Sequence, residues 1–167
     1  MVRSAFLLVI FLGAKSQPAA AQIDVTSRST IFPGPYEAEL VDVIDGDTLD
    51  LRVAIWPGII ADYAVRVRGV DAPEIRRASC EGERAAGEKA RDWIQGIYGP
   101  DTRIQLRDVS YDPFSGRVVA DVRRWRTDRW LSLAAELTSR DLAQRWTPDM
   151  DDVPWALLYC ATADPTD

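Results

Sequence analysis

Five stretches of this chain alternate apolar and polar residues with period two, the pattern of strands that bury one face and solvate the other. They are Tyr36 to Val43, Thr48 to Ala54, Tyr63 to Val70, Thr102 to Val109 and Arg117 to Arg124. In the third, Val65 and Val67 share one face while Arg66 and Arg68 share the other. Asp45-Gly46, Trp56-Pro57-Gly58 and the segment Pro113 to Gly116 interrupt the runs with turn-forming residues. After Pro73 the composition shifts to Ala, Glu, Lys and Arg, and Ala86, Ala90, Trp93 and Ile97 recur at helical spacing. This predicts an amphipathic helix from Gly82 to Tyr98, stopped by Gly99-Pro100. Ser132 offers an N-cap for a second helix through Arg140, with Leu133 and Leu137 facing inward. Three strands, a helix, two strands and a helix predict an α+β, mainly β class: a five-stranded OB-fold barrel with two to three attached helices.

The ends of the chain read differently. Met1-Val2-Arg3 is a basic start, and Ala5 to Leu12 is an apolar run shorter than the roughly 20 residues a membrane span needs. Ala19-Ala20-Ala21 then offers small residues for a signal peptidase. Residues 1–21 are therefore expected to be a signal peptide, removed after Ala21, which leaves a secreted or periplasmic protein with no stable membrane insertion. Residues 22–35 carry Ser, Thr and two prolines without periodicity and are expected to be a flexible lead-in, with structure starting at Tyr36. Residues 36–146 make one domain and residues 147–167 an acidic extension, and a monomer is the default. Lys and Arg number 20 against 26 Asp and Glu, a net charge of −6 that counts against casual binding to polyanions. The excess is uneven, because Asp149, Asp151, Asp152, Asp164 and Asp167 follow the last cation, Arg145. Cys80 and Cys160 are an even number in an exported chain, which favours a disulfide over two free thiols.

Candidate chemistry falls in three short segments. Ile44-Asp45-Gly46-Asp47-Thr48 taken alone is an ordinary tight turn. Arg66-Val67-Arg68-Gly69-Val70-Asp71-Ala72-Pro73-Glu74 runs a strand into a proline-stiffened corner with two carboxylates. Pro73 keeps Ala72 extended, so Asp71 and Glu74 stay off any helix and can aim at a common point near the Ala72 carbonyl. Taken alone, the same corner is also a strand end with surface charges. Asp112-Pro113-Phe114-Ser115-Gly116-Arg117 is, by itself, a hairpin turn followed by an arginine. With no histidine in the chain, and with both cysteines far from these segments, zinc is disfavoured.

In this order the three segments resemble the staphylococcal-nuclease (thermonuclease) family, whose pattern is a D-G-D-T turn, an R-x-x-x-[IV]-D-[TA]-P-E corner and a D-x-[YF]-G-R turn. The resemblance runs from about Val41 to Ala143, where Leu137 to Ala143 looks like the family's last barrel helix. It implies that Asp47 and Asp71 ligate one Ca²⁺ ion together with the Ala72 carbonyl, a set of oxygen donors suited to a hard cation. Asp45 and Thr48 would support those ligands, Asp45 by orienting water beside the ion. Glu74 would be the general base, and Arg66 and Arg117 would grip the phosphate. The activity implied is hydrolysis of DNA and RNA phosphodiesters by activated water, giving 3′-phosphate products.

The chain departs from the pattern in three places. The turn before Arg117 is one residue longer, so Phe114 or Ser115 fills its aromatic position. The family's substrate-facing tyrosines after Ala143 are absent, leaving Trp146 to offer either a stacking face for a base or core packing. Asp141 stands where the helix would end on glycine, and Asp tolerates a left-handed backbone. The acidic extension is expected to fold back, pinned at Cys80, and to shift preference toward short or single-stranded substrate. The alternative is a catalytically inactive OB-fold module of the cell envelope that binds nucleic acid or protein, for which eroded carboxylates would be expected. A purely structural envelope domain is the third reading.

Overall fold

The computed structural model describes Ser27, residues 30–112 and residues 116–160. The expected signal peptide and Phe114 lie outside them. The strands are β1 (Ile31–Phe32), β2 (Tyr36–Asp45), β3 (Thr48–Trp56), β4 (Ile59–Val67), β5 (Val70–Asp71), β6 (Ile104–Tyr111), β7 (Val118–Arg126), β8 (Arg129–Ser132) and β9 (Gln144–Arg145). The helices are α1 (Glu81–Ile97), α2 (Leu133–Thr138) and α3 (Trp155–Tyr159). β2 pairs antiparallel with β3 and β6, β3 antiparallel with β4, β4 parallel with β7, and β7 antiparallel with β6. These pairings close a five-stranded mixed barrel of the OB type, and the mainly β, α+β class expected from the strand periodicity is what the chain adopts.

Alternating side chains fill the barrel: Leu49, Leu51, Val65, Val67, Ile104, Leu106 and Val122 are essentially solvent-free. Each such side chain stabilises the fold by roughly 1.5–3 kcal/mol relative to exposure. Ala90 and Ile94 of α1 and Leu133 and Leu137 of α2 join the same core. α2 stops before the expected Arg140. Asp141 turns the chain with φ 56°, and the Leu142 N–H donates to the Leu137 carbonyl at 3.0 Å.

Several further elements differ from expectation. The strand expected from Tyr63 to Val70 is broken after Val67 by the turn at Gly69, so Val70 and Asp71 form β5 and pair with the unforeseen β9. β8 is also new. β1 falls inside the supposed lead-in and pairs with β6 through Ile31–Ser110 and Phe32–Val109. Two residues are too few to carry a period. β4 begins four residues early because Ile59 and Ile60 pair with β3 through their backbones while their side chains face solvent, so alternation fails there. The extension also carries α3, whose end is joined to the start of α1 by the Cys80–Cys160 disulfide. Bridges of this kind are typical of oxidising environments outside the cytoplasm. No helix among the described residues is long and apolar enough to cross a membrane.

Candidate active site

The barrel ladder brings the three segments together. Thr48 of β3 is the cross-strand partner of Arg66, and Arg66 in turn neighbours Val119 of β7, two residues after Arg117. The Val67 N–H donates to the Asp47 carbonyl at 2.8 Å, which ties the Asp-Gly-Asp turn to the strand that feeds the corner. Gly46 lets that turn touch the corner. A Cβ there would sit 2.7 Å from the Ala72 Cβ and 2.8 Å from the Ala90 Cβ, inside any tolerable contact.

Asp47 is buried, and Arg66 reaches it with Nη1 at 3.0 Å from Oδ2 and 3.2 Å from Oδ1. Arg66 Nη2 donates to Asp71 Oδ1 at 2.6 Å, so one guanidinium bridges the two aspartates. The Ala72 N–H donates to Asp47 Oδ2 at 3.2 Å, placing this buried residue against the same carboxylate. Thr48 Oγ1 donates to Asp47 Oδ1 at 2.9 Å and accepts from Arg117 Nη1 at 3.5 Å. The hydroxyl thus links the second arginine to the first aspartate. The Asp47 N–H donates to Asp45 Oδ1 at 3.3 Å, which folds Asp45 back over the turn. The Arg66 guanidinium also lies 5.7 Å from the centre of the half-buried Trp146 ring.

Burial sets the electrostatics of the pocket. Burial raises the Asp47 acid from 3.8 to about 7, with Asp45 and Asp71 adding to the rise and Arg66 and Thr48 opposing it. Burial likewise works against the charge on Arg66, but Asp47 and Asp71 outweigh it and hold the guanidinium more firmly protonated. Burial also pushes Glu74 up, with Asp45 and Asp71 adding to it against Arg77 and Arg66. Among the described residues no hydrogen bond or ion pair engages the Glu74 carboxylate.

Three residues that sequence patterning did not assign hold this arrangement. Buried Asp112 accepts from Arg117 Nε at 3.0 Å, forms an ion pair with Nη2 at 3.0 Å, and aims the guanidinium at Thr48. Buried Glu83 of α1 accepts from the Glu74 N–H at 3.3 Å and the Ser79 N–H at 2.7 Å, fixing the backbone of the corner. Trp155 Nε1 donates to Asp71 Oδ2 at 2.6 Å. Asp112 stood within a motif segment but read as a turn residue. Glu83 looked like any first-turn acid of an exposed helix, and Trp155 lay outside every motif.

No model of a known protein family matches this chain, and no curated protein does.

The donors fit a hard divalent cation in kind. All are oxygens, the donor type a hard cation takes, and buried Asp47 and half-buried Asp71 converge on one guanidinium. Among the described residues no three His, Cys, Asp or Glu side chains are grouped so as to hold a metal by themselves. The expected set draws on only two carboxylates and a backbone carbonyl. A cavity of about 300 Å³, lined by Glu37, Glu39, Arg52, Asp101 and Arg103 among others, shares none of these residues.

Proposed function

We propose that this chain is a Ca²⁺-dependent phosphodiesterase acting on DNA and RNA, in the manner of the staphylococcal nucleases it resembles. One observation carries the reading: a single guanidinium bridges Asp47 and Asp71 while Thr48 connects the same Asp47 to Arg117. Charged residues from three distant segments thereby face one spot.

Asp47, Asp71 and the Ala72 carbonyl would hold the ion. When bound, it supplies positive charge against the phosphate oxygens during in-line displacement. Arg66 and Arg117 offer N–H forks to the non-bridging oxygens, where charge accumulates in the transition state. Glu74 takes a proton from the attacking water. Its raised pKa makes it a stronger base than a free carboxylate, and no partner competes for its oxygens among the described residues. Asp45 would orient that water, and Trp146 beside Arg66 offers a ring face to a base. The acidic extension disfavours long polyanions, so short or single-stranded nucleic acid is the preferred substrate. The disulfide and the basic-apolar N-terminus support a place of work in the periplasm or the medium.

The test is digestion of plasmid DNA and of RNA by the purified protein with Ca²⁺, with EDTA, and with Glu74→Gln. Cleavage is expected only with Ca²⁺ and is expected to fall by at least hundreds-fold in the variant. Activity that persists in EDTA overturns the metal role.

The second reading is a silent OB-fold module that binds nucleic acid. It is favoured by the Arg103 guanidinium, 5.7 Å and 5.6 Å from the rings of Trp125 and Trp130, at the far end of β7 from Arg117. Binding that is lost on Trp125→Ala, without cleavage under any metal condition, would select it.

A further inference from the structure

The C-terminal extension reaches back across the molecule to one of the proposed ion ligands. Trp155 is buried, and its indole N–H donates to Asp71 Oδ2 at 2.6 Å across 84 residues of sequence. Asp71 Oδ1 is meanwhile taken by Arg66. Both oxygens of one carboxylate are therefore held from opposite sides, one by the pocket and one by the extension.

The extension is anchored for this. Trp155 stacks on Tyr159 with ring centres 5.9 Å apart and planes at 27°. Cys160, the next residue, is bonded to Cys80 at the start of α1. The α1 surface is also cut to receive α3, because a Cβ at Gly82 would lie 2.3 Å from the Tyr159 carbonyl oxygen.

We propose that Trp155 is a positioning residue: by holding Oδ2 it fixes the rotamer of Asp71 so that Oδ1 points into the pocket, where Arg66 meets it and a cation would share it, and the disulfide-tied extension holds Trp155 in place. An indole can only donate, so it orients the carboxylate without competing for a cation or changing charge. Partners of this kind behind a ligating carboxylate typically contribute roughly 10–100-fold to metal affinity. This inference rests on the proposed Ca²⁺ role of Asp71.

The experiment is Ca²⁺ titration by calorimetry of the wild-type protein, Trp155→Phe and the double variant Cys80→Ser/Cys160→Ser, with cleavage rates measured across the same Ca²⁺ range. Phenylalanine keeps an aromatic ring against Tyr159, removes the donor and shortens a side chain that is buried. Trp155→Phe is expected to bind Ca²⁺ roughly 10–100-fold more weakly while recovering near-wild-type kcat at saturating Ca²⁺, and to keep its melting temperature in EDTA. The double variant is expected to weaken Ca²⁺ binding in the same direction. Wild-type affinity in Trp155→Phe, or a kcat loss that excess Ca²⁺ does not rescue, overturns the positioning role and leaves the nuclease reading standing. A wild-type protein that binds no Ca²⁺ overturns both.

Discussion

At the residue scale the site is a chain of charged contacts in which each group depends on the next. Asp112 aims Arg117, Arg117 reaches Thr48, Thr48 donates to Asp47, and Asp47 shares Arg66 with Asp71. On the proposed role of Arg117 in gripping the phosphate, Arg117→Ala is expected to lower kcat by hundreds-fold, about 3–4 kcal/mol of transition-state stabilisation, in steady-state cleavage assays. Arg117→Lys should recover only a small part, since an ammonium keeps the charge but cannot make the two-pronged contact. Asp47 supplies a pH signature. Its acid lies near 3.8 when unperturbed and at about 7 in the folded, metal-free protein. The folded state therefore holds this proton more tightly than the unfolded chain, and the stabilisation it brings is complete below about pH 4 and lost as pH rises through about 7. Melting temperature in EDTA should accordingly fall more steeply across that window for the wild type than for Asp47→Asn. These residue identities stood in plain view in the three motif segments. Their partners did not, because a buried acid such as Glu83 has the same letter as a solvated one.

At the scale of elements, the corner after β5 is positioned by close approach as much as by hydrogen bonds. Gly46 and Gly87 are the two places where a turn and a helix come within backbone distance of it. A Cβ on Gly87 would stand 2.5 Å from the Pro73 carbonyl oxygen and 3.1 Å from that of Glu74. Gly87→Ala is expected to push α1 away from the corner, costing about 1–3 kcal/mol in chemical denaturation and lowering cleavage by moving Glu74. Gly46→Ala should do the same from the other side. Strand periodicity showed where the barrel strands run but not their ends, since β4 starts in two solvent-facing isoleucines and β1 is only two residues long. The helix α1 was legible from its spacing. The reason for glycine in the middle of its buried face was not, because that reason is the Pro73 backbone fourteen residues upstream.

For the whole molecule, the disulfide decides how the extension behaves. It closes a loop of 80 residues, and in the chain-entropy view its removal should lower unfolding stability by about 4 kcal/mol, read as a lower urea midpoint for Cys80→Ser/Cys160→Ser. The same bridge brings α3 over the site, so stability and Asp71 geometry are joined in one covalent tie. The amino-acid order by itself determined the strand periods, the turn chemistry and the residue types able to bind a cation and a phosphate, because these depend on neighbours within a few positions. Closure of the barrel, the sharing of one guanidinium between two aspartates and the approach of Trp155 to Asp71 depend on contacts between residues far apart in the chain. Those were decided only when the strands found their partners and the disulfide drew the C-terminus back onto α1.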